Sequence, residues 1–244
     1  GGVGPYAGLD VVRKIFDNTI GTIDQDHLDV FLVNKPRIIG DRTHFLLHGG
    51  TNPALGIAAC IDSLASMGAE VVGIPCNTAH AEPIFHSVRE YVGKKHPSIA
   101  LVNMIEQTCA EIDRRYAAGA LVGLMATMGT HASGVYCDYM KGYGNLHLIE
   151  PDHESQKNIH RAIYDQTFGL KAVSPVTQQA MDILLKEAHA LIEKGKAEVI
   201  ILGCTELPLA LHNGMLSCDF VDPTHILARA LIKAAAPDKL KAVN

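Results

Sequence analysis

Val71-Val-Gly-Ile-Pro-Cys76-Asn-Thr-Ala-His80 and Val199-Ile-Ile-Leu-Gly-Cys204-Thr-Glu-Leu-Pro208 are two versions of one pattern. Each is a short apolar run rich in β-branched residues, closed by a small-residue corner that delivers one cysteine followed by amide or hydroxyl side chains. Runs of this length bounded by Gly or Pro read as strands buried on both faces, the kind found in parallel sheets. The two cysteines are separated by half the chain. Two similar halves, each presenting a thiol at the carboxyl end of a buried strand, suit a small molecule held between two sulfurs. Such a pair can add a proton to one face of a carbon and remove it from the other.

Outward from these corners, apolar runs alternate with amphipathic segments, the pattern of a parallel sheet covered by helices, so the expected class is α/β. The runs predict strands at His44–Leu47, Val71–Ile74, Ile99–Val102, Leu121–Ala126, Leu146–Ile149, Val199–Leu202 and Phe220–Val221. The three-and-four apolar spacing predicts helices at Gly8–Thr19, Ile57–Met67, Ala81–Val92, Ile105–Ala117, Thr177–Lys194 and Thr224–Ala235. The duplication extends further. Gly2-Val-Gly-Pro-Tyr-Ala-Gly8 opens the first half with a glycine-rich turn into a helix, and Ala126 to Tyr136 holds the comparable place in the second. The interval from Gly2 to Cys76 nearly equals that from Ala126 to Cys204. Two related lobes facing each other follow, expected as residues 1–100 with 222–244 and residues 101–221.

The 244 residues are 48% hydrophobic, enough for a real core in one domain or two, and the formal net charge of −5 excludes a basic face for nucleic acid or an anionic membrane. No apolar stretch reaches the roughly 18 residues of a membrane span, and no charged-then-apolar leader opens the numbered chain. The 6 cysteines lack C-x-x-C or dense spacing, which points to free thiols and a cytoplasmic protein. Cys60, Cys109, Cys137 and Cys218 read as packing residues. Apolar residues on the predicted helix faces exceed what a lobe core needs, so a homodimer is an expectation.

A cysteine ahead of a helix N-terminus feels unpaired backbone N–H groups and the helix dipole, both of which favour thiolate. Cys76 precedes the predicted helix Ala81–Val92 and Cys204 a short Leu207–Leu211 turn. Asn77, Thr78 and Thr205 place donors beside each sulfur, suited to a carboxylate and to charge that develops when an α-proton leaves.

These residues resemble the cofactor-independent aspartate/glutamate racemase superfamily, and within it the aspartate racemase branch. The resemblance covers nearly the whole chain. It rests on Gly1-Gly-Val-Gly-Pro5, Gly40-Asp-Arg-Thr43, Asn52-Pro53, Pro75-Cys-Asn-Thr-Ala-His80, Ala126-Thr-Met-Gly-Thr130 with Ser133-Gly-Val-Tyr136, Gly169-Leu-Lys-Ala172, Gly203-Cys-Thr-Glu206 and Asp222-Pro223. It implies two pseudo-symmetric α/β lobes with the site in the cleft between them. Cys76 and Cys204 would be opposed acid and base, acting on a small dicarboxylic amino acid without pyridoxal phosphate or metal. Asn77, Thr78, Thr127 and Thr205 would hold the α-carboxylate and amino end, and Arg42 and Lys171 would meet the side-chain carboxylate. Glutamate racemases usually carry histidine after the second Cys-Thr; Glu206 here favours the aspartate-type or broad-specificity branch. The family also leads into the Gly-Gly turn with a strand, whereas the numbered chain opens in the turn. The first lobe is therefore expected either to draw on a segment ahead of Gly1 or to do without that strand.

Other signals are weaker. Gly2-x-Gly4-x-x-Ala7 resembles a dinucleotide fingerprint, but Pro5 interrupts it and the numbered chain shows no strand ahead of it. His44 and His48 have a metal-like interval without a third ligand nearby. Maleate isomerase or hydantoin racemase chemistry, from the same superfamily, is one rival; an amino-acid-binding protein without chemistry is another.

Overall fold

Residues 3–116, 119–144 and 146–242 are described by a computed structural model. Gly1 and Gly2 of the expected opening turn, and Ala117 at the end of one predicted helix, lie outside them. In chain order the regular elements are α1 (Pro5–Asn18), α2 (Pro36–Ile39), α3 (Arg42–His48), α4 (Ala54–Ser66), β1 (Val71–Gly73), α5 (Glu82–Lys95), β2 (Ala100–Val102) and α6 (Met104–Arg115). They continue with β3 (Ala120–Ala126), α7 (Met128–Ser133), α8 (Val135–Met140), β4 (Leu146–Ile149), α9 (His153–Tyr164), α10 (Gln178–Glu193), β5 (Val199–Gly203), β6 (Asp219–Val221) and α11 (Pro223–Ala235). The fold is α/β with two parallel sheets flanked by helices. The chain separates into two compact units, Gly1–Gln107 with Thr224–Asn244, and Thr108–Pro223. β2 pairs along its length with β1, Val71 opposite Ala100 and Gly73 opposite Val102, so it stays with the first unit and the division falls after residue 100, inside α6.

The first unit sets β1 and β2 against α4 and α5. Val72 and Ile74 share one core cluster with Ile57, Ile61 and Leu64 of α4 and Ile84, Val88 and Val92 of α5, and these two helices pack against each other. An apolar recess of about 410 Å³ runs along β1, walled by Val11 and Ile15 of α1, Phe31 and Leu32, and Leu227 and Leu231 of α11. Cys76 does not line it.

The second unit is a four-stranded parallel sheet in the order β4-β3-β5-β6. β5 is buried at every position and β3 at all but one, as the continuous apolar runs predict. Met125, Ile200 and Leu202 meet Ile159 and Ile163 of α9 and Leu184 and Leu191 of α10. Ala126 is registered on Gly203, so β3 and β5 end side by side. Gly203 permits this close approach: a Cβ there would stand 2.7 Å from Leu124 Cδ1 and 3.0 Å from Met125 O. Gly203→Ala is expected to cost about 1–3 kcal/mol by overpacking and to displace the following Cys204. A urea midpoint equal to that of wild type would contradict this.

Two expectations are corrected. His44–Leu47 lies in a helix, α3. Asp41 caps it, its carboxylate accepting the His44 N–H at 3.0 Å, and Gly40 and Gly49 bound it at φ 75° and 79°. The apolar triplet Phe45-Leu46-Leu47 imitates a strand, but the cap decides. His44 and His48 are therefore one turn apart on a helix, ring centroids 4.9 Å apart. Among the described residues no three His, Cys, Asp or Glu side chains gather as a metal site. Cys137 is exposed and not a packing residue, whereas Cys60, Cys109 and Cys218 are buried. Among the described residues no helix is long and apolar enough to cross a membrane.

Candidate active site

In the first unit the chain leaves β1 through Ile74-Pro75 and turns at Cys76, whose extended backbone (φ −161°, ψ 111°) caps a 3-10 turn over Asn77–His80. Cys76, Asn77, Thr78 and His80 are all buried. The Cys76 carbonyl accepts the Ala79 N–H at 3.2 Å and sits 2.9 Å from His80 Nδ1. The other ring nitrogen, Nε2, accepts the Met104 N–H at 3.2 Å, so the proton must be on Nδ1, which donates to Cys76. Burial, against the Cys76 carbonyl bond, pushes the His80 pKa down to about 4. His80 is therefore a neutral clamp that fastens the cysteine turn to the start of α6, and its ring stacks on Phe85 at 4.7 Å. Arg42 opens α3, which packs against the Asn77–His80 turn, and its guanidinium donates to the Gly40 carbonyl. Asn52 joins the neighbouring helices: its amide donates to the Pro83 carbonyl at 2.9 Å and its oxygen accepts the Ala54 N–H at 2.9 Å.

In the second unit Thr127 and Cys204 leave the sheet from adjacent strands. Thr127 is buried and caps α7, its hydroxyl accepting the Thr130 N–H at 3.3 Å. Cys204 is 6% exposed; its thiol donates to Glu206 Oε2 at 3.0 Å, and the Thr205 hydroxyl donates to the same oxygen at 3.3 Å. Glu206 Oε1 meets Lys171 Nζ at 2.6 Å. Lys171 is thus no surface lysine. Its loop docks on the end of α9 through Leu170 N–H to Ala162 O at 3.0 Å and Lys171 N–H to Ile163 O at 3.1 Å. Its ammonium lies 5.5 Å from the centre of the Tyr164 ring, which stacks on His160 at 4.6 Å. Burial pulls the Lys171 pKa down, but the facing Cys204 and Glu206 outweigh it and the net direction is up.

The thiolate-favouring corner expected at Cys204 is not what this environment provides. Burial first, and then the facing Glu206 carboxylate, push the Cys204 thiol well up, and Lys171 opposes them without prevailing. The 3-10 turn that follows has only 3 residues, Leu207–Leu209, too little helix to offset desolvation.

Within the first unit the structure gathers Cys76, Asn77 and Thr78, with Arg42 on the helix beside them. Within the second it gathers Thr127, Cys204, Thr205 and Lys171. Two motif residues that the sequence reading does not place in the chemistry, His80 and Glu206, stand against the two sulfur corners. The spacing Cys76-x-x-x-His80 was the available sign for the first, and the acidic residue two places after Cys204 for the second.

The family described as Asp/Glu/Hydantoin racemase matches residues 1–231. The broad-specificity amino-acid racemase RacX of Bacillus subtilis is 23% identical over 237 residues, covering 95% of this chain and 94% of its own length. Aspartate racemase of Picrophilus torridus shares the fold at a TM-score of 0.80 and 26% identity, with 96% of this chain and 91% of that one covered. Glutamate racemase of Francisella tularensis, in complex with D-glutamate, shares the fold at a TM-score of 0.61 and 17% identity, covering 100% and 81%. The chain belongs to the Asp/Glu/hydantoin racemase family, whose racemases are isomerases.

Proposed function

We propose that the protein interconverts L- and D-aspartate, with glutamate as a further substrate, by two-base proton transfer at the α-carbon without pyridoxal phosphate. The observation that carries this reading is the matched pair of buried cysteines, each at the carboxyl end of a parallel strand and each followed by hydroxyl side chains, in a chain similar to an aspartate racemase over nearly its whole length. One sulfur, as thiolate, removes the α-proton while the other, as thiol, protonates the opposite face; the roles exchange in the reverse direction. The pair must therefore carry one proton in total, a coupled titration. Cys76 acts on the D-enantiomer and Cys204 on the L-enantiomer. Asn77, Thr78, Thr127 and Thr205 bind the α-carboxylate and amino end. Arg42 and Lys171 take the side-chain carboxylate, Lys171 sharing its three donors with Glu206.

Incubating each aspartate and glutamate enantiomer in D₂O tests this. Early in the reaction the product enantiomer is expected to carry one α-deuterium while recovered substrate carries none, because separate groups serve the two faces. Equal labelling of both, or no racemisation of either amino acid, overturns the reading. The likeness to a broad-specificity racemase makes a wider amino-acid panel the natural extension.

A homodimer is proposed with it. Tyr6, Leu9 and Phe16 stand exposed at three- and seven-residue spacing along α1, with Ile20 exposed just past its end. Leu9→Glu is expected to shift sedimentation velocity from dimer to monomer; unchanged sedimentation argues against this face.

A further inference from the structure

The second unit surrounds one carboxylate with more than the two-base scheme asks for. The Glu206 side chain is 3% exposed, and on it converge the Cys204 thiol at 3.0 Å, the Thr205 hydroxyl at 3.3 Å and the Lys171 ammonium at 2.6 Å. If the only requirement at Cys204 were a standing thiolate, an anion against the sulfur would be the wrong neighbour. It is the right neighbour for a sulfur that must alternate between thiol and thiolate where solvent barely reaches. Each two-base turnover leaves the proton on the opposite sulfur from the one that began with it. Restoring the starting form requires the Cys204 S–H bond to break when no substrate carbon is there to receive the proton.

We propose that Glu206 is the proton partner of Cys204. The Sγ–H bond breaks with its electron pair left on sulfur as thiolate, and the proton forms an O–H bond on Glu206 Oε2; once product has left, that O–H bond breaks to water and returns the carboxylate, while the Cys76 thiolate takes a proton from water. The same transfers run in reverse restore the Cys204 thiol. Glu206 is a catalytic residue in this scheme because it touches the reacting sulfur. Lys171 is a positioning residue, holding the carboxylate from its far oxygen and keeping it ionised between transfers. Thr205 fixes the accepting oxygen. The proposal rests on the racemase reading, but its first readout does not.

The experiment compares wild type, Glu206→Gln, Glu206→Asp and Lys171→Gln in two measurements. The first is the pH dependence of Cys204 alkylation by iodoacetamide, followed on the Cys204 peptide by mass spectrometry. The second is kcat and KM for aspartate racemisation. Glu206→Gln removes the anion and the proton acceptor but keeps the side-chain shape. Its Cys204 is expected to alkylate at lower pH than in wild type, while kcat falls by about 100-fold or more and KM moves little. A sulfur that ionises more readily yet turns over more slowly is the signature of a lost proton partner, one that a packing role would not produce. Glu206→Asp, which keeps the charge, is expected to return the alkylation profile and part of kcat. Lys171→Gln is expected to move alkylation to higher pH. A Glu206→Gln profile superimposed on wild type, or a kcat equal to or above wild type, overturns the proposal. Should Glu206→Gln fail to fold, Glu206→Asp with a wild-type alkylation profile but a lowered kcat, together with the upward shift in Lys171→Gln, supports the proposal, and a Lys171→Gln profile superimposed on wild type overturns it. Should wild type racemise nothing, the racemase reading falls, and the alkylation profiles still settle the proton link between Cys204 and Glu206.

Discussion

Cys76→Ser and Cys204→Ser are each expected to lower racemisation about 100- to 10,000-fold in both directions, the range for removing a general acid or base. Both directions fall together because inversion needs an acid and a base on opposite faces, and a serine hydroxyl ionises too weakly to replace either. What survives should differ between the variants. With Cys204 gone, Cys76 can still exchange the α-hydrogen of the enantiomer it faces, proposed to be D-aspartate, and return it to the same face. With Cys76 gone, the residual exchange should belong to L-aspartate. Polarimetry follows the inversion and proton NMR in D₂O follows the exchange. Undiminished two-way racemisation in either variant would rule out the two-sulfur scheme. Residual exchange with the enantiomers reversed would leave the scheme standing and swap the assignments.

The second large effect concerns stability. His80 is buried and neutral, with its pKa pushed down from 6.5 to about 4 by desolvation. In the unfolded chain the imidazole takes a proton below pH 6.5, while in the folded chain it resists until about pH 4. The stability linked to it is therefore fully present above pH 6.5 and is lost as pH falls toward 4, amounting to roughly 3 kcal/mol across that window. Glutamine can donate to the Cys76 carbonyl and accept the Met104 N–H but does not titrate. Urea unfolding of wild type and His80→Gln between pH 4 and 7 should show wild type losing more stability on acidification. Parallel curves would mean that the ring is not held neutral. The same clamp fixes the Cys76 turn, so acidification toward pH 4 should loosen that turn as the ring takes its proton.

Much of this fold was legible because its central strands are unambiguous. β3 and β5 are near-continuous apolar runs, and only burial on both faces accounts for such runs in segments this short. The cysteine corners were readable for a related reason: Gly203 must be small for the approach to Leu124 and Met125, so the corner leaves a trace in the sequence. α3 was misread because three adjacent apolar residues outweighed a single capping aspartate at Asp41. α9 was overlooked although Asp152 caps it, accepting the Ser155 N–H at 2.8 Å, and Ile159, Ala162 and Ile163 keep helical spacing. The pairing of Lys171 with Glu206 was out of reach, since nothing local joins a loop on the end of α9 to the corner after β5. The protonation bias of Cys204 was lost with it, because burial and a distant residue's placement of charge decide it.

The two strand ends that present the sulfurs are not equally stiff. β5 is hydrogen-bonded along both edges, between β3 and β6, whereas among the described residues β1 is a three-residue strand paired on one edge, with an apolar recess beside it. Amides around β1 should open more readily than those around β5. Substitutions around the Cys76 turn should then be absorbed by local rearrangement, whereas the same changes around the Cys204 corner should be felt in whole-unit stability.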